Sequence, residues 1–487
     1  MLSGIIPLAT STTSTAAAEV YETVLDAFLG VGSMNTAREA MAPAVALPNN
    51  KILLAGGSHC FATTLGPGGA CGNTTFDGFE CDALQTAELY DETTKAFTVA
   101  GSGSSSLMTT QRSGATATLI QGSGTSLDGK VLITGGSSGS SFLSAATPPA
   151  GCGPSGQVAQ NTAEIYDPVA DSFTSTGSIP GCAAGTAPPT CTTGLPATCG
   201  TGTTQCGLVD SEAVLLNSGK VLLTGGDYIV FLGQSSPQAF IFDPATATFS
   251  QTVPMKVARE LPSINKLPSG KVLVAGGLTG AAAACVATPS TPVAFTTNSS
   301  AEVFDPTVPS WTLTTGSSST PGAAGGMNAK RIAAGSLFSS GTDSGLVIFA
   351  GGIDAETTDG TPGTPNFPTC ESVLNIAQST TAATDLFNPT TTVFTATGAL
   401  NQSRGGYGFA ILNSGTNSGD LAVFGGECAV GNLASTAIGT SDAAGLCGPN
   451  AQTDYYELFK PSTGTWTVGT ATTPATPANA PDSLLLP

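Results

Sequence analysis

A short apolar run that ends in a Gly-Gly pair recurs six times along the chain. This repeat constrains the fold more than any other feature of the sequence. The pairs are Gly56-Gly57, Gly135-Gly136, Gly225-Gly226, Gly276-Gly277, Gly351-Gly352 and Gly425-Gly426. Each run follows a turn, and short aliphatic runs bounded by turn residues are typical of β-strands. The length of 487 residues alone would suggest about three domains, and the internal repeat overrides that expectation.

A second element recurs seven times and consists of two aromatic residues seven positions apart. The pairs are Tyr21/Phe28, Tyr90/Phe97, Tyr166/Phe173, Phe242/Phe249, Phe304/Trp311, Phe387/Phe394 and Phe459/Trp466. The intervening turn, typically Asp-Pro as in Asp167-Pro168, predicts a hairpin that joins two strands. The chain therefore has one aromatic hairpin more than it has Gly-Gly strands.

The basic residues follow the same repeat. All five arginines stand four positions after a Met or Leu, and they are Arg38, Arg112, Arg259, Arg331 and Arg404. Four lysines stand five positions before a Gly-Gly pair, and they are Lys51, Lys130, Lys220 and Lys271. Nine of the 14 basic residues thus occupy repeat positions, which leaves little cationic chemistry for any separate site.

The order of arginine, two strands, Gly-Gly, variable loop and aromatic hairpin resembles the kelch repeat over nearly the whole chain. The resemblance implies an all-β fold, a kelch-type β-propeller of four-stranded antiparallel blades with the first strand innermost. We expect residues 1–487 to form a single propeller. Its six complete units are expected at about 38–106, 112–180, 207–254, 259–320, 331–399 and 404–470.

The extra hairpin near the N-terminus favours a seven-bladed propeller, with six blades as the alternative. Residues 1–33 and 480–487 would form a composite seventh blade, in which N- and C-terminal strands pair. Such pairing closes the ring and removes open sheet edges.

Five units carry an arginine and a carboxylate at matching positions, and the third unit carries neither. The pairs are Arg38/Glu88, Arg112/Glu164, Arg259/Glu302, Arg331/Asp385 and Arg404/Glu457. In the third unit the arginine is missing and Phe240 stands where the others have Glu or Asp. Because a desolvated charge needs a partner, this joint absence predicts structural ion pairs within the blades.

Catalytic and metal-binding motifs are scarce. Galactose-oxidase-like kelch propellers bind copper through two histidines and two tyrosines, and this chain has a single histidine, His59. We therefore expect no copper site and no cofactor. Asp354, Glu356 and Asp359 form a weak calcium candidate, for which a solvated loop is the favoured interpretation. An enzyme of the carbohydrate-active class would have to use loop carboxylates such as Asp77/Glu80 or Asp354/Glu356.

The charge balance excludes several partners. The net charge of −19 argues against nucleic acid and anionic membranes, because both would repel the chain. No stretch has the roughly 20 apolar residues that a membrane-spanning helix needs.

Twelve cysteines without any Cys-x-x-Cys spacing favour disulfides in an oxidising compartment. Eight lie in loops after Gly-Gly: Cys60, Cys71, Cys81, Cys152, Cys285, Cys370, Cys428 and Cys447. The other four, Cys182, Cys191, Cys199 and Cys206, lie in the connection between the second and third units. Both kinds of segment emerge on the same face of a four-stranded meander, which predicts one face held together by disulfides.

The even number of cysteines allows all of them to form disulfides, but several pairings are possible. Cys428 could bond Cys447, Cys285 could bond Cys370, and the four connection cysteines could form two bonds among themselves. Two more bonds would join Cys60, Cys71, Cys81 and Cys152 in one of their possible combinations.

These observations predict an exported, non-enzymatic propeller at the cell surface or outside the cell. Its loop-bearing face would bind a protein or a glycan, or would assemble copies of the chain into an oligomer or filament. A strand exchanged between neighbouring subunits is one route to such a filament. The alternative is a carbohydrate-active enzyme that works through the loop carboxylates.

Overall fold

The computed structural model describes residues 14–39, 41–64, 77–101, 107–143, 158–180, 207–227, 235–281, 294–317, 326–329, 331–333, 335–357, 376–426, 430–432 and 456–469. These residues are all-β, and they include no helix long and apolar enough to cross a membrane.

Within the described residues, six antiparallel sheets form the blades of a β-propeller; each has four blade strands, and the second has a short fifth strand in addition. The first blade consists of β3 (Val45–Ala46), β4 (Lys51–Ala55), β7 (Ala87–Asp91) and β8 (Ala96–Val99). The second consists of β9 (Ser113–Leu119), β10 (Val131–Ser138), β13 (Ala163–Asp167) and β14 (Ser172–Ser175). The third consists of β15 (Glu212–Leu215), β16 (Val221–Thr224), β17 (Ala239–Asp243) and β18 (Thr248–Gln251).

The other three blades repeat this order. The fourth consists of β19 (Ser263–Lys266), β20 (Val272–Ala275), β23 (Ala301–Asp305) and β24 (Ser310–Leu313). The fifth consists of β25 (Gly335–Leu337), β26 (Val347–Ala350), β29 (Thr384–Asn388) and β30 (Val393–Ala396). The sixth consists of β31 (Gly408–Ile411), β32 (Leu421–Phe424), β34 (Tyr456–Lys460) and β35 (Thr465–Val468). The first strands of the first five blades contact one another in succession, which places them nearest the propeller axis.

The second strand of each blade is the centre of the core. All four residues of β16, β20 and β26 are buried, and all except Thr224 at the end of β16 are apolar, so these strands do not alternate. A strand covered on both faces by neighbouring blades needs such a continuous apolar run. The runs that end in Gly-Gly are therefore the most buried part of each unit.

The aromatic hairpins form as the sequence predicts. Residues seven apart lie directly opposite each other across the turn, as Tyr166 does Phe173. Their ring centroids are 4.8 Å apart in that hairpin and 5.3 Å apart between Phe459 and Trp466. Aromatic pairs at this separation stabilise a hairpin beyond the area they bury.

The Gly-Gly pairs allow neighbouring blades to approach closely. Gly56 and Gly57 both have positive φ, at 65° and 95°. The Gly57 N–H donates to the Arg112 carbonyl of the next blade at 2.8 Å. A Cβ on Gly56 would lie 2.3 Å from that same carbonyl oxygen, so only glycine fits there.

Two further sheets are built from the long connections between the second and third strands of the blades. β5 (Ser58–Thr64) and β6 (Asp77–Ala83) from the first blade join β11 (Ser140–Leu143) from the second. The larger sheet contains β21 (Leu278–Ala281), β22 (Ala294–Thr297), β27 (Ile353–Thr357), β28 (Ile376–Thr380) and β33 (Val430–Asn432) in that order. It spans the fourth, fifth and sixth blades. We call these eight strands the loop face. A further short strand, β12 (Val158–Ala159), pairs antiparallel with the last two residues of β10.

The expectation of seven four-stranded blades is wrong, because the structure holds six, the stated alternative. The N-terminal hairpin of β1 (Glu19–Glu22) and β2 (Ala27–Gly30) forms, but its sheet has only these two strands among the described residues. An outer hairpin is not a blade without inner strands beside it. The segments predicted to supply those strands, residues 1–13 and 480–487, lie outside the described residues, as does their pairing.

The N-terminal hairpin packs on the sixth blade through aromatic side chains. The ring centroids of Tyr21 and Tyr456 are 5.2 Å apart, and those of Phe28 and Phe424 are 5.6 Å apart. Asp26 accepts hydrogen bonds from the hydroxyls of Tyr21 and Tyr456. Burial and Asp26 together raise the pKa of Tyr21 far above its ordinary value.

The same hairpin also contacts the first blade. The Gly32 N–H donates to the Lys95 carbonyl at 3.0 Å. An equivalent bond of 3.1 Å runs from Gly177 to Ala247 between the second and third blades. The N-terminal hairpin therefore contacts the sixth blade through aromatic side chains and the first blade through a backbone hydrogen bond like those between blades.

Replacing the first glycine of a Gly-Gly pair should weaken the contact between blades. Gly135→Ala would place a Cβ 2.4 Å from the Leu208 carbonyl, at a φ of 70°. Gly129→Ala is the matched control, because Gly129 has a φ of 83° but no atom within 4 Å of its Cβ position. We expect the control to cost about 1 kcal/mol of unfolding free energy from backbone strain. Gly135→Ala should cost about 1–3 kcal/mol more from overpacking, measured by denaturant unfolding. Equal losses would contradict the close-approach explanation.

Candidate functional site

The arginine before each first strand reaches the carboxylate in the third strand of its own blade. The nitrogen–oxygen distances are 2.8 Å for Arg38–Glu88, 2.7 Å for Arg112–Glu164, 3.4 Å for Arg259–Glu302 and 2.7 Å for Arg404–Glu457, and Arg331 bonds Asp385 in the same way. All ten side chains are at most 1% exposed. The structure thus brings together each of the five pairs expected from the sequence.

Further hydrogen bonds stabilise these buried charges. Arg112 Nη1 donates to the carbonyls of Gly135 and Thr162, at 2.7 and 2.9 Å. The Thr109 N–H donates to Glu164 at 2.6 Å. The second blade thus meets the condition for tolerating a buried ion pair, that its remaining donors and acceptors are hydrogen-bonded.

The carboxylate of the first blade shows how these bonds act on ionisation. Burial alone would raise the pKa of Glu88. Hydrogen bonds from Asn35, Thr36 and Arg38 outweigh burial and hold the pKa of Glu88 below its ordinary value. The pair is therefore charged and structural, with no acid or base left for chemistry.

The third blade has an apolar replacement for the ion pair. The Leu208 carbonyl accepts the Gly136 N–H at 2.8 Å, which is the bond that the Arg112 carbonyl makes with Gly57. Leu208 thus occupies the arginine position, and Phe240 occupies the position of Glu164. Both residues are buried. This blade shows that the fold also accepts an apolar pair in place of the two charges.

The four repeat lysines pair with the aspartate that begins the aromatic-hairpin turn of their blade. The Nζ–Oδ2 distances are 4.0 Å for Lys51–Asp91, 2.9 Å for Lys130–Asp167, 2.7 Å for Lys220–Asp243 and 2.9 Å for Lys271–Asp305. Hydrogen bonds from Thr307 and Lys271 hold the pKa of Asp305 well below its usual range. Sequence reasoning placed the lysines in the repeat but did not identify these partners.

Cys60 and Cys81 form a disulfide between directly paired residues of β5 and β6 on the loop face. It is one of the pairings that the sequence left open. The other ten cysteines lie outside the described residues: Cys71, Cys152, Cys182, Cys191, Cys199, Cys206, Cys285, Cys370, Cys428 and Cys447. Ser14 flanks this disulfide, since its N–H donates to the Cys60 carbonyl at 3.0 Å and its Oγ accepts the Cys60 N–H at 2.6 Å.

Glu39, Cys60 and Cys81 bring three potential metal donors within 4.8 Å of one another. Glu39 Oε1 lies 2.6 Å from Cys60 Sγ. Metal binding by cysteine requires the thiolate, and both sulfurs are joined in the disulfide. The group therefore does not fit a metal centre in this oxidised form.

The remaining sequence candidates lie on the loop-face strands. His59 is in β5, Asp77 and Glu80 are in β6, and Asp354 and Glu356 are in β27. Asp354 accepts a hydrogen bond from the Thr297 hydroxyl of β22. Asp359, the third calcium candidate, lies outside the described residues.

The loop face has a distinctive charge pattern. Its eight strands contain five carboxylic acids and no lysine or arginine. Most of their other residues are small, apolar or hydroxyl-bearing. The loop face therefore combines hydrogen-bonding groups with negative charge.

Sequence reasoning missed a group of buried acids where the third blade meets the fourth. Asp210, Asp227 and Glu260 are 4%, 1% and 2% exposed, and we call these three residues the carboxyl seam. Burial, together with Asp227 and Asp210, raises the pKa of Glu260 well above its ordinary value. Burial also raises the pKa of nearby Glu212 to about 7. The available hint was the occurrence of three acids within and just after the unit that lacks arginine.

Comparisons with known proteins add little. No protein-family model and no curated protein matches the chain. Among solved structures, the chain is similar to one titled "Structure of YjhT", with 16% sequence identity and a TM-score of 0.46. The alignment covers 89% of this chain and 98% of that one. The propeller is established by the strand pairing described above and not by this similarity.

Removing one charge of a blade ion pair should cost much more than removing both. Arg112→Leu leaves Glu164 buried without its partner, which should lower the free energy of unfolding by about 3–5 kcal/mol. The double variant Arg112→Leu/Glu164→Phe reproduces Leu208 and Phe240 of the third blade and should lose less than the single variant. Denaturant unfolding of both variants measures the difference. A double variant at least as unstable as the single one would contradict a coupled pair.

Removing the disulfide should destabilise the chain without changing the blades. Cys60→Ala/Cys81→Ala opens a loop with a sequence separation of 21, which corresponds to about 3 kcal/mol in the chain-entropy account. Thermal unfolding and hydrogen exchange of β5 and β6 measure the effect. Exchange should accelerate more in the sheet of β5, β6 and β11 than in the blades, and an equal change in both would contradict a role of the disulfide in ordering that sheet.

Proposed function

We propose that this chain is an exported, non-enzymatic, kelch-type propeller that binds a neutral or basic extracellular partner through the loop face. The observation that carries the proposal is the pairing of loops from different blades into two sheets. A loop that only connects two strands has no need to pair with the loop of the next blade. Such pairing builds a shared surface, which is what a recognition module requires.

The larger loop-face sheet supports a preorganised binding surface. β22 of the fourth blade pairs with β27 of the fifth, and β28 pairs with β33 of the sixth. Backbone hydrogen bonds thus order segments from three blades before any partner arrives. Preorganisation reduces the conformational entropy that binding would otherwise cost.

The chemistry of the loop face favours particular partners. Five carboxylates without a lysine or arginine in its strands would repel phosphate-rich and other anionic partners. Threonine-rich segments such as β22 offer neutral hydrogen-bonding groups. We therefore favour a neutral glycan or a basic segment of a protein as the partner.

Export is supported by the cysteine content. Twelve cysteines in one chain, with Cys60 and Cys81 bonded, are typical of proteins that fold in an oxidising compartment. The kelch assignment is supported by the buried arginines and by the Gly-Gly contacts between blades. Assembly by exchange of a terminal strand remains a prediction, because residues 1–13 and 480–487 lie outside the described residues.

The enzyme alternative has less support. A glycosidase needs two carboxyl groups that flank the scissile bond. Asp77 and Glu80 instead lie along one strand, β6, and Asp354 and Glu356 lie along another, β27. The five arginines are engaged in the blades and are not available to bind an anionic substrate on the loop face.

Paired surface variants test the binding proposal. Thr296→Arg adds a positive charge and bulk to half-buried Thr296 in β22 on the loop face. Val169→Arg is the control, because Val169 is 96% exposed in the β13–β14 turn on the opposite face. Each protein is applied to an array of neutral glycans and to a library of cationic peptides. We expect the wild type and Val169→Arg to bind the same probes, and Thr296→Arg to bind at least about tenfold more weakly.

Three outcomes would contradict the proposal. The first is wild-type protein that binds neither set of probes. The second is an equal loss of binding in both variants, which would point away from the loop face. The third is release of reducing sugar from a bound glycan that disappears in Asp354→Asn, which would establish the enzyme instead.

A further inference from the structure

Two residues of the carboxyl seam, Asp227 and Glu260, occupy a position that recurs at two other contacts between blades. At these contacts the residue after a Gly-Gly pair faces the residue after the arginine of the next blade. Between the first and second blades these are Ser58 and Ser113, whose hydroxyl oxygens are 2.7 Å apart. Between the fifth and sixth they are Ile353 and Gly405, where a Cβ on the glycine would lie 2.3 Å from Ile353 Cγ1.

The equivalent residues between the third and fourth blades are Asp227 and Glu260. Asp227 follows Gly225-Gly226 and pairs with Val209 through two backbone hydrogen bonds of 2.8 and 3.0 Å. Glu260 follows Arg259 and pairs with Leu278 in the same way, at 2.8 and 2.9 Å. The position thus holds two serines between the first and second blades, an isoleucine against a glycine between the fifth and sixth, and two acids between the third and fourth.

Nothing in the described part of the chain neutralises Glu260. Its Oε2 atom is buried and accepts no hydrogen bond from a described residue. The neighbouring Arg259 side chain turns into its own blade and bonds Glu302. Leu208 stands where the third blade would otherwise carry an arginine. Among the described residues, the charged groups that act on Glu260 are Asp227 and Asp210, and both are acidic.

A buried, ionised carboxylate beside two other acids is energetically unfavourable, and a proton is the simplest way to neutralise it. The backbone nearby is tightly connected, because the Leu261 N–H donates to the Asp210 carbonyl and the Gly226 N–H donates to the Arg259 carbonyl. Separation of the acids would therefore strain hydrogen bonds that cross from one blade to the next.

We propose that the carboxyl seam is a pH-sensitive switch, in which a proton held between Glu260 and Asp227 keeps the third and fourth blades together. Loss of this proton places two negative charges in the contact. The blades then loosen at this contact, while the serine contact between the first and second blades is unaffected.

The sign of the pH dependence follows from linkage. The pKa of Glu260 in the folded protein is raised above its ordinary value of 4.5 in the unfolded chain, so protonation favours the folded state. The stabilisation is fully present below that unfolded value and is lost as pH rises through the folded pKa. Glu212, with a pKa of about 7, acts in the same direction. Increasing pH should therefore destabilise this contact.

Glu260→Gln tests the proposal because it keeps the shape of the protonated acid and cannot ionise. The measurements are thermal unfolding and hydrogen exchange between about pH 5 and pH 9. The amides followed are those of Gly226 and Leu261, which donate to the Arg259 and Asp210 carbonyls across this contact. We expect wild type and variant to agree at about pH 5. At about pH 9 the variant should unfold at a higher temperature. The Gly226 amide of the variant should then exchange at least about tenfold more slowly than that of the wild type.

Controls separate the switch from general effects. Ser113→Ala changes the equivalent contact without a titrating group and should shift stability equally at every pH. Asp227→Asn should show the same reduced pH dependence as Glu260→Gln. It replaces that variant in the test if Glu260→Gln does not fold. The proposal is overturned if both acid variants keep the wild-type pH profile. It is also overturned if calcium alone stabilises wild type at about pH 9 and not Glu260→Gln, because a cation would then neutralise the acids.

Discussion

The buried pair of an arginine and a carboxylate is the contact on which the propeller depends. In the second blade the Arg112 guanidinium binds Glu164 and the Gly135 carbonyl, so it joins the start of the blade to its second and third strands. Its own backbone carbonyl accepts the Gly57 N–H of the preceding blade. One residue thus orders a blade internally and links it to its neighbour, and Gly-Gly is required because this link leaves no room for a Cβ.

Because the blades use these arginines for structure, they also determine where positive charge is left on the protein surface. Five arginines are enclosed in the blades and four lysines pair at hairpin turns, so the loop face is left with carboxylates and neutral groups. The third blade lacks the arginine–carboxylate pair, and the acids Asp227 and Glu260 lie at its contact with the fourth blade. The same scarcity of positive charge therefore shapes both the surface proposed to bind a partner and the contact proposed to respond to pH.

Much of the fold could be predicted because the repeat encodes local geometry. A spacing of seven residues places two aromatics opposite each other across a short turn, as in Phe304 and Trp311. The joint loss of arginine and carboxylate in one unit pointed to their contact in the others. The Lys130–Asp167 pair was not foreseen, because it depends on the register between two strands that are more than 30 residues apart in sequence. The number of complete blades was also misjudged, since a hairpin alone cannot show whether inner strands join it.

The sequence by itself determined the strands, the hairpins, the ion-paired blades and the acidic character of the chain, because each is a matter of residue type at short or repeated spacing. Only the tertiary structure decided which loops pair on the loop face and that Asp210, Asp227 and Glu260 meet. Loop strands such as β22 and β27 carry no pattern that specifies a partner from another blade. The three acids are scattered over two units, and only closure of one blade against the next removes them from water and brings their charges together.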